Sequence, residues 1–168
     1  MNMTASNRYR PGAPFTTTLV PPDSTEEPLT IFGTVFAADG ATPLPGALIE
    51  VWHADNSGRY NSSEPFTLRA QMVTDSGGRY RFTTIRPGHL QIDCQPVPAH
   101  IHLRITYLKQ PPLTVTLYFA GDPHLAEPHS IAPGAVISLT TIEERTGPAL
   151  HGQADFITSV PASGALDN

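Results

Sequence analysis

Two histidines separated by a single residue, His100 and His102, have the clearest capacity for chemistry in this chain. In the run that follows them, apolar and polar residues alternate, which is typical of a β-strand. Successive side chains of a strand point to opposite faces, so both imidazoles lie on one face about two residues' rise apart. Neutral imidazole is a common metal ligand, and this spacing lets two nitrogens converge on one ion. The pair alone leaves two interpretations open: a metal site, or polar residues on an exposed sheet face.

The composition predicts one globular domain. The 168 residues carry a formal net charge of -5, and 39% of them are hydrophobic, which fits a soluble chain able to bury a core. Nucleic-acid binding needs a clustered basic face, and the arginines here are scattered. No apolar run approaches the length of a membrane span, and no signal peptide is visible before Pro14, so we expect a cytoplasmic protein without nucleic-acid or membrane partners. The single cysteine, Cys94, excludes a disulfide within the chain.

Abundant proline and glycine favour short strands over long helices. Residues 1–28 are predicted to form an extended arm, either disordered or wrapped around a neighbouring subunit, and residues 161–168 a C-terminal tail. The domain between them, 29–160, is predicted to be all-β, an antiparallel β-sandwich of about eight short strands. The segment after Gly121 could also form a short helix. The predicted strands are 29–37, 46–54, 68–74, 79–85, 100–109, 113–119, 134–142 and 150–158.

Four segments carry a more specific signal through their order and spacing. They are Trp52–Tyr60, Leu68–Asp75, Pro98–His102 and Leu113–Pro123. Together they resemble the intradiol ring-cleavage dioxygenases, the family of protocatechuate 3,4-dioxygenase and catechol 1,2-dioxygenase, over about residues 29 to 125. The strand and turn pattern by itself also resembles transthyretin-like modules, and such a scaffold does not imply a function.

The resemblance implies a non-haem iron centre, Fe3+ held by two tyrosinates and two histidines on a β-sandwich. Tyr60 matches the first tyrosine ligand, and His100 and His102 match the histidine ligands. Tyrosinate is a hard anionic oxygen donor that favours ferric iron, and neutral imidazole suits iron as well. The remaining histidines, expected at the surface or behind the ligands, are His53, His124, His129 and His151.

The sequence departs from the family pattern around this site. Leu90 occupies the position of the second tyrosine ligand, Val97 stands where the family tends to carry an arginine, and Thr116 replaces a glutamine. His89 is therefore a candidate catalytic base or a third imidazole ligand, the alternative being a loop histidine with neither role. Cys94 is either a buried free thiol or a neighbour of the same pocket. The altered ligand set also leaves Fe2+ as an alternative to Fe3+.

The function implied by the resemblance is cleavage of a catechol-like ring by O2 between its two hydroxyl-bearing carbons, which gives a muconate-type diacid. The enzyme is expected to be a homo-oligomer. Two other functions stay open: a non-catalytic subunit homologous to an active chain, favoured by the missing tyrosine, and a transthyretin-like binding module. The residues expected to line the substrate pocket are Trp52, Leu90, Val97 and Thr116.

Overall fold

A computed structural model of the protein describes residues 8–60, 66–92, 94–125 and 136–165. Within these ranges a 3₁₀ helix spans Ala162–Ala165, and no helix is long and apolar enough to cross a bilayer. The strands are β1 (Pro28–Phe36), β2 (Leu48–His53), β3 (Arg69–Val73), β4 (Arg79–Ile85), β5 (Gln91–Ile92), β6 (Gln95–Pro96), β7 (His100–Thr106), β8 (Leu113–Phe119), β9 (Val136–Ile137), β10 (Leu139–Glu144), β11 (Gly147–Gln153) and β12 (Phe156–Ile157).

The strands form two five-stranded sheets and one two-stranded ribbon. One sheet has the order β10-β11-β1-β12 with β4 also paired to β1, the other has the order β3-β2-β7-β8-β9, and β5 pairs with β6. The predicted all-β sandwich is confirmed. Its sheets are mixed rather than wholly antiparallel, because β11 and β12 run parallel to β1, and β9 runs parallel to β8. Parallel neighbours need a long connection, which strands distant in sequence provide.

Two of the predicted strands are each divided. The segment predicted over 134–142 forms β9 and β10, and the segment predicted over 150–158 forms β11 and β12, with residues 134 and 135 outside the described ranges. At the second break, the N–H of Ala154 donates to the carbonyl of Phe32, and Gly33 lies so close that a Cβ there would be 1.9 Å from the Ala154 oxygen. The chain after Gly121 forms a turn over 123–125, and residues 126–135 lie outside the described ranges.

The core lies between the two large sheets. Along β2 and β7 the side chains alternate, so that one parity is fully buried while the other lies on the outer face of the sheet. Each fully buried aliphatic or aromatic side chain contributes about 1.5–3 kcal/mol. The largest buried residues from the two sheets are Leu29, Ile31, Phe82, Ile49, Ile101, Leu103, Ile105, Leu117 and Phe119.

The N-terminal arm lies along strands of its own chain. The backbone of Gln71 in β3 exchanges hydrogen bonds with the arm at Pro14 and Thr16, over 3.0 and 3.1 Å. Farther on, the backbone of Thr83 in β4 bonds the arm at Thr17 and Leu19, both over 2.8 Å. The arm therefore covers an edge strand of one sheet and then reaches the other sheet, which protects unpaired backbone groups of β3.

Candidate metal centre

A row of four side chains crosses the outer face of the β3-β2-β7-β8 sheet. In the strand register Trp52 pairs with both Arg69 and His102, and His102 pairs with Thr116. Residues paired directly across antiparallel strands have Cβ atoms about 4.5–5.5 Å apart. The Trp52 indole stacks on the His102 ring with centroids 5.3 Å apart. Trp52 and Thr116, both predicted to line the pocket, are thus immediate neighbours of a predicted ligand.

His100 and His102 form the core of the candidate site. Their ring centroids are 4.7 Å apart with the planes at 72°. The Nδ1 of His100 lies 2.7 Å from the carbonyl oxygen of Pro98, so Nδ1–H donates and Nε2 keeps its lone pair for another partner. The Nδ1 of His102 has the Thr116 hydroxyl at 3.5 Å. Burial lowers the pKa of His100 and, with the charge of His100, lowers that of His102 to about 3. Both rings are therefore neutral near pH 7, the state that binds a metal.

Tyr60 supplies an oxygen beside this pair. Its ring is 6.4 Å from the ring of His102, with the planes only 27° apart. Its hydroxyl is buried and has no hydrogen-bond partner among the described residues. Burial raises the pKa of Tyr60 to about 12, against the opposing effect of the Arg8 and Arg69 charges. An unpartnered buried polar group costs about 1–3 kcal/mol, so this atom fits a position that binds a cation.

Two loops packed against each other place Tyr60. The carbonyl of Asp55 accepts the Gly88 N–H over 2.8 Å, which joins the loop before Tyr60 to the loop after β4. Gly58 has φ +83°, and a Cβ there would lie 2.2 Å from the carbonyl oxygen of His89. Only glycine satisfies both the left-handed backbone and this close approach. The position of Tyr60 thus depends on contact with the segment that carries His89.

His89 lies in the loop after β4, where its backbone contacts Gly58. Its side chain is 41% exposed. Its Nε2 is 2.9 Å from Oδ2 of Asp122, and its ring packs edge-on against His124 with centroids 4.7 Å apart. The buried Asp122 carboxylate also accepts the N–H of Ala99 over 3.1 Å, immediately before His100. His89 is thereby linked through Asp122 to the start of β7. Its predicted roles as ligand or base stay predictions.

Leu90 and Val97, the other two predicted pocket residues, flank the β5-β6 ribbon. The N–H of Val97 donates to the carbonyl of Leu90 over 2.8 Å, and both side chains are half-buried. Cys94 lies at the tip of this ribbon with φ 61° and is exposed. The prediction of a buried thiol is wrong, because the tight turn between two-residue strands directs residue 94 into solvent.

His53 is a core residue and not a surface one. Its Nδ1 lies 2.6 Å from the carbonyl oxygen of Ala54, and its Nε2 lies 2.7 Å from the hydroxyl of Thr84. Burial lowers its pKa to about 4. Both ring nitrogens are occupied, so His53 is unavailable to a metal. His151 bonds Glu144, and both residues lie on the sheet that does not carry the candidate site. His129 lies outside the described residues.

The arm contributes residues that the sequence analysis missed. The Tyr9 hydroxyl donates to Oε1 of Glu50 over 2.5 Å, and the Tyr9 ring lies 5.2 Å from that of Trp52. The guanidinium of Arg104 lies 5.1 Å from the centroid of the same Tyr9 ring. The arm therefore covers part of the outer face beside the candidate site. The run Arg8-Tyr9-Arg10 was the one local feature of the sequence that pointed to these residues. It does not reveal which face of the sheet the arm packs against.

The donors brought together are the oxygen of Tyr60 and the free nitrogens of His100 and His102. In the described part of the chain, no group of three or more His, Cys, Asp or Glu residues is arranged to hold a metal, so a centre here depends on the tyrosine oxygen. One hard oxygen with two neutral imidazoles is a donor set that suits iron. The residues present therefore fit an iron ion.

Comparison with known proteins agrees with this fold. The family model described as Dioxygenase matches residues 6–159. Catechol 1,2-dioxygenase of Acinetobacter baylyi is 30% identical over 161 residues, which cover 80% of this chain and 51% of that protein. The chain belongs to the intradiol dioxygenase family. It spans about half the length of the curated relatives it matches.

Two solved structures share the fold closely. The dioxygenase domain of a dioxygenase and carbohydrate-binding protein fusion from Streptomyces sp. SirexAA-E is 31% identical with a TM-score of 0.79, covering 90% of this chain and 92% of that one. The 3-chlorocatechol 1,2-dioxygenase of Rhodococcus opacus is 28% identical with a TM-score of 0.81, covering 89% of this chain and 68% of that one.

Proposed function

We propose that this protein is a non-haem iron dioxygenase that cleaves a catechol-like ring between its two hydroxyl-bearing carbons, with altered iron coordination. The observation that carries the proposal is the buried, unpartnered hydroxyl of Tyr60 beside the neutral pair His100 and His102. The names of the relatives, catechol and chlorocatechol 1,2-dioxygenases, support the reaction class. The product would be a muconate-type diacid.

Tyr60, His100 and His102 would hold the iron. When bound, ferric iron would supply a Lewis-acidic centre for a chelating catecholate and a route for electrons between the ring and dioxygen. The Pro98 carbonyl fixes the tautomer of His100, which keeps its Nε2 unprotonated. The position of the family's second tyrosine carries Leu90, so the metal would have fewer protein oxygen ligands than in relatives with both tyrosines.

A catechol must lose its hydroxyl protons to chelate a metal as a dianion, so the site needs a base. We assign this role to His89. Its Nε2–H donates to Asp122, which leaves Nδ1 as the basic nitrogen. Its partial exposure lets it pass the proton to solvent. If His89 were instead a third imidazole ligand, replacing it would change the visible spectrum of the bound iron.

The expected pocket is more apolar than the family pattern. Leu90 and Val97 replace a polar tyrosine and a charged arginine of the family pattern, and the Trp52 ring stacks on His102 as an aromatic surface. Apolar walls exclude water and strengthen electrostatic interactions at the metal. We therefore propose an aromatic catechol-like substrate that binds mainly through its ring and its two hydroxyl groups.

The test is the iron content, visible spectrum and oxygen uptake of the purified full-length protein after loading with Fe2+ or Fe3+. The proposal predicts a tyrosinate-to-iron charge-transfer colour, and uptake of one O2 for each catechol consumed. A protein that takes up neither ion, and consumes no oxygen with any member of a catechol panel, would overturn the proposal in favour of a non-catalytic subunit. The matched control is Tyr60→Phe, which should lose the colour and keep the fold.

A further inference from the structure

Two guanidinium groups lie close to the ring of Tyr60. The Arg8 guanidinium carbon is 5.2 Å from the ring centroid, and that of Arg69 is 5.9 Å from it. Both distances are within the range of about 6 Å over which a cation is attracted to an aromatic face. Arg8 comes from the N-terminal arm and Arg69 begins β3, so two segments 61 residues apart deliver positive charge to one side chain.

Arg69 is the more unusual of the two because it is only 5% exposed. A buried arginine ordinarily pairs with a carboxylate. None of the ion pairs between described residues includes Arg69. Its Nη1 donates instead to the backbone carbonyl of Arg8. A carbonyl holds the guanidinium in place without neutralising it, so among the described residues its positive charge stays unpaired beside Tyr60.

The strand register explains why Arg69 is held there. Arg69 pairs with Trp52, which pairs with His102, so the guanidinium sits two strands from the histidine pair on the same face. The arm is fixed independently, through the bond from Tyr9 to Glu50 and the backbone bonds to Gln71. Arg69 is therefore buried within the fold, and Arg8, although exposed, is carried by an arm that is fixed against the same sheet.

We propose that Arg8 and Arg69 are positioning residues that act through Tyr60 and tune it as an anionic iron ligand. The inference rests on the proposed function, since it needs Tyr60 to bind the metal. Positive charge beside a phenolate stabilises its electrons and weakens their donation to the metal. Val97 stands where the family tends to carry an arginine. In this chain the positive charges beside Tyr60 come instead from Arg8 of the arm and Arg69 of β3.

Weaker donation has two measurable consequences. The charge-transfer transition from the phenolate to ferric iron requires more energy, so its band moves to shorter wavelength. Ferric iron is also less favoured over ferrous iron, so the midpoint potential rises. Removing either arginine should move the band to longer wavelength and lower the midpoint potential. Removing both should enlarge the two changes.

The experiment compares iron-loaded full-length Arg8→Gln and Arg69→Gln variants, and their combination, with wild type. Each single change should move the band to longer wavelength and lower the potential, and the double change should do more. Arg69→Lys keeps the charge and should restore most of the wild-type band. Arg79→Gln is the control, because the exposed Arg79 pairs with Asp75 at 3.4 Å and is the first residue of β4, in the other sheet. It should leave the band in place.

The outcomes separate this inference from the proposed function. A wild-type protein that takes up neither iron ion and consumes no oxygen would overturn the proposed function and this inference with it, whereas an iron-loaded, oxygen-consuming wild type without a tyrosinate band would overturn the inference alone. A coloured wild type whose band and potential are unchanged in Arg8→Gln and Arg69→Gln would overturn the inference alone. Circular dichroism and thermal melting of the metal-free variants show whether each one folds. If Arg69→Gln does not fold, Arg8→Gln and Arg69→Lys carry the comparison.

Discussion

Nε2 of His89 lies 2.9 Å from Oδ2 of Asp122, and the same carboxylate oxygen accepts the N–H of Ala99, the residue before His100. The carboxylate thus ties a partly exposed loop histidine to the residue just before the candidate ligand strand. Hydrogen bonds donated by Ala99, His124 and His89 outweigh burial and hold the pKa of Asp122 below its usual value. Asp122 is therefore a fixed anion at the edge of the site.

Replacing His89 by Ala distinguishes its proposed roles. If His89 is the base, turnover should fall by about 10²–10⁴-fold, while the iron colour is unchanged because Tyr60 and both ligand histidines remain. The measurement is oxygen uptake with catechol beside the visible spectrum. A large shift of the band in His89→Ala would instead identify His89 as a ligand. Unchanged turnover and colour would leave it without either role.

Tyr60→Phe should have opposite effects on the metal-free and iron-loaded proteins. In the metal-free state the change removes a buried hydroxyl without a partner among the described residues, so we expect stability to rise by about 1 kcal/mol. After iron addition the variant should lack the tyrosinate colour. Urea unfolding and visible spectroscopy measure the two effects. Clear destabilisation of the metal-free variant would mean that the hydroxyl has a partner in solution.

Replacement of either ligand histidine should abolish tight iron binding. For His100→Ala and His102→Ala we expect a loss greater than about 100-fold, the upper end for residues that only orient a ligand. Competition against a chelator measures the affinity. His151→Ala is the control, because His151 bonds Glu144 on the other sheet. Equal loss in all three variants would show a general effect on folding rather than a specific site.

His53 makes the stability of the metal-free protein depend on pH. Burial lowers its folded pKa from 6.5 to about 4, so protonation favours the unfolded chain. Its contribution is complete above pH 6.5 and is lost as the pH falls towards 4, by up to about 3 kcal/mol. Urea unfolding at pH 7, 5.5 and 4 measures this slope. A His53→Gln variant should be less stable at pH 7 and have a shallower slope, and an equally steep slope would exclude His53 as its source.

The contact between Gly58 and His89 predicts a specific substitution effect. In Gly58→Ala the new Cβ would meet the His89 carbonyl at 2.2 Å, whereas in Gly46→Ala, at a similar φ of +75°, it would meet nothing within 4 Å. Both changes carry the cost of a left-handed alanine, about 1–2 kcal/mol. Gly58→Ala should lose a further 1–3 kcal/mol or so through overpacking, and it should weaken iron binding by moving Tyr60. Equal losses would mean that the loop adapts.

The parts of the site that local sequence determines were predictable. Alternation after Pro98 places His100 and His102 on one face of a strand, and the structure confirms that strand as β7. Contacts between distant segments were not predictable from the sequence. Arg8 and Arg69 lie close together only because the N-terminal arm folds back onto β3, and no local pattern encodes that path. The parallel pairing of β11 with β1 likewise follows from the order of strands in the sheet, which local patterning does not encode. Cys94 was misplaced because the two-residue strands around it are too short to leave a periodic signal.

The register of β2 against β7 links the candidate site to the packing of the core. Along β7, Ile101 and Leu103 face the core while His100 and His102 lie on the outer face. A shift of one residue would exchange the two sets, so the same hydrophobic packing that excludes such slippage also keeps the histidines in place. Substitutions at outward positions such as Thr116 leave the packed interior untouched. Residues beside the candidate ligands can therefore vary while the packing that holds those ligands in register stays the same.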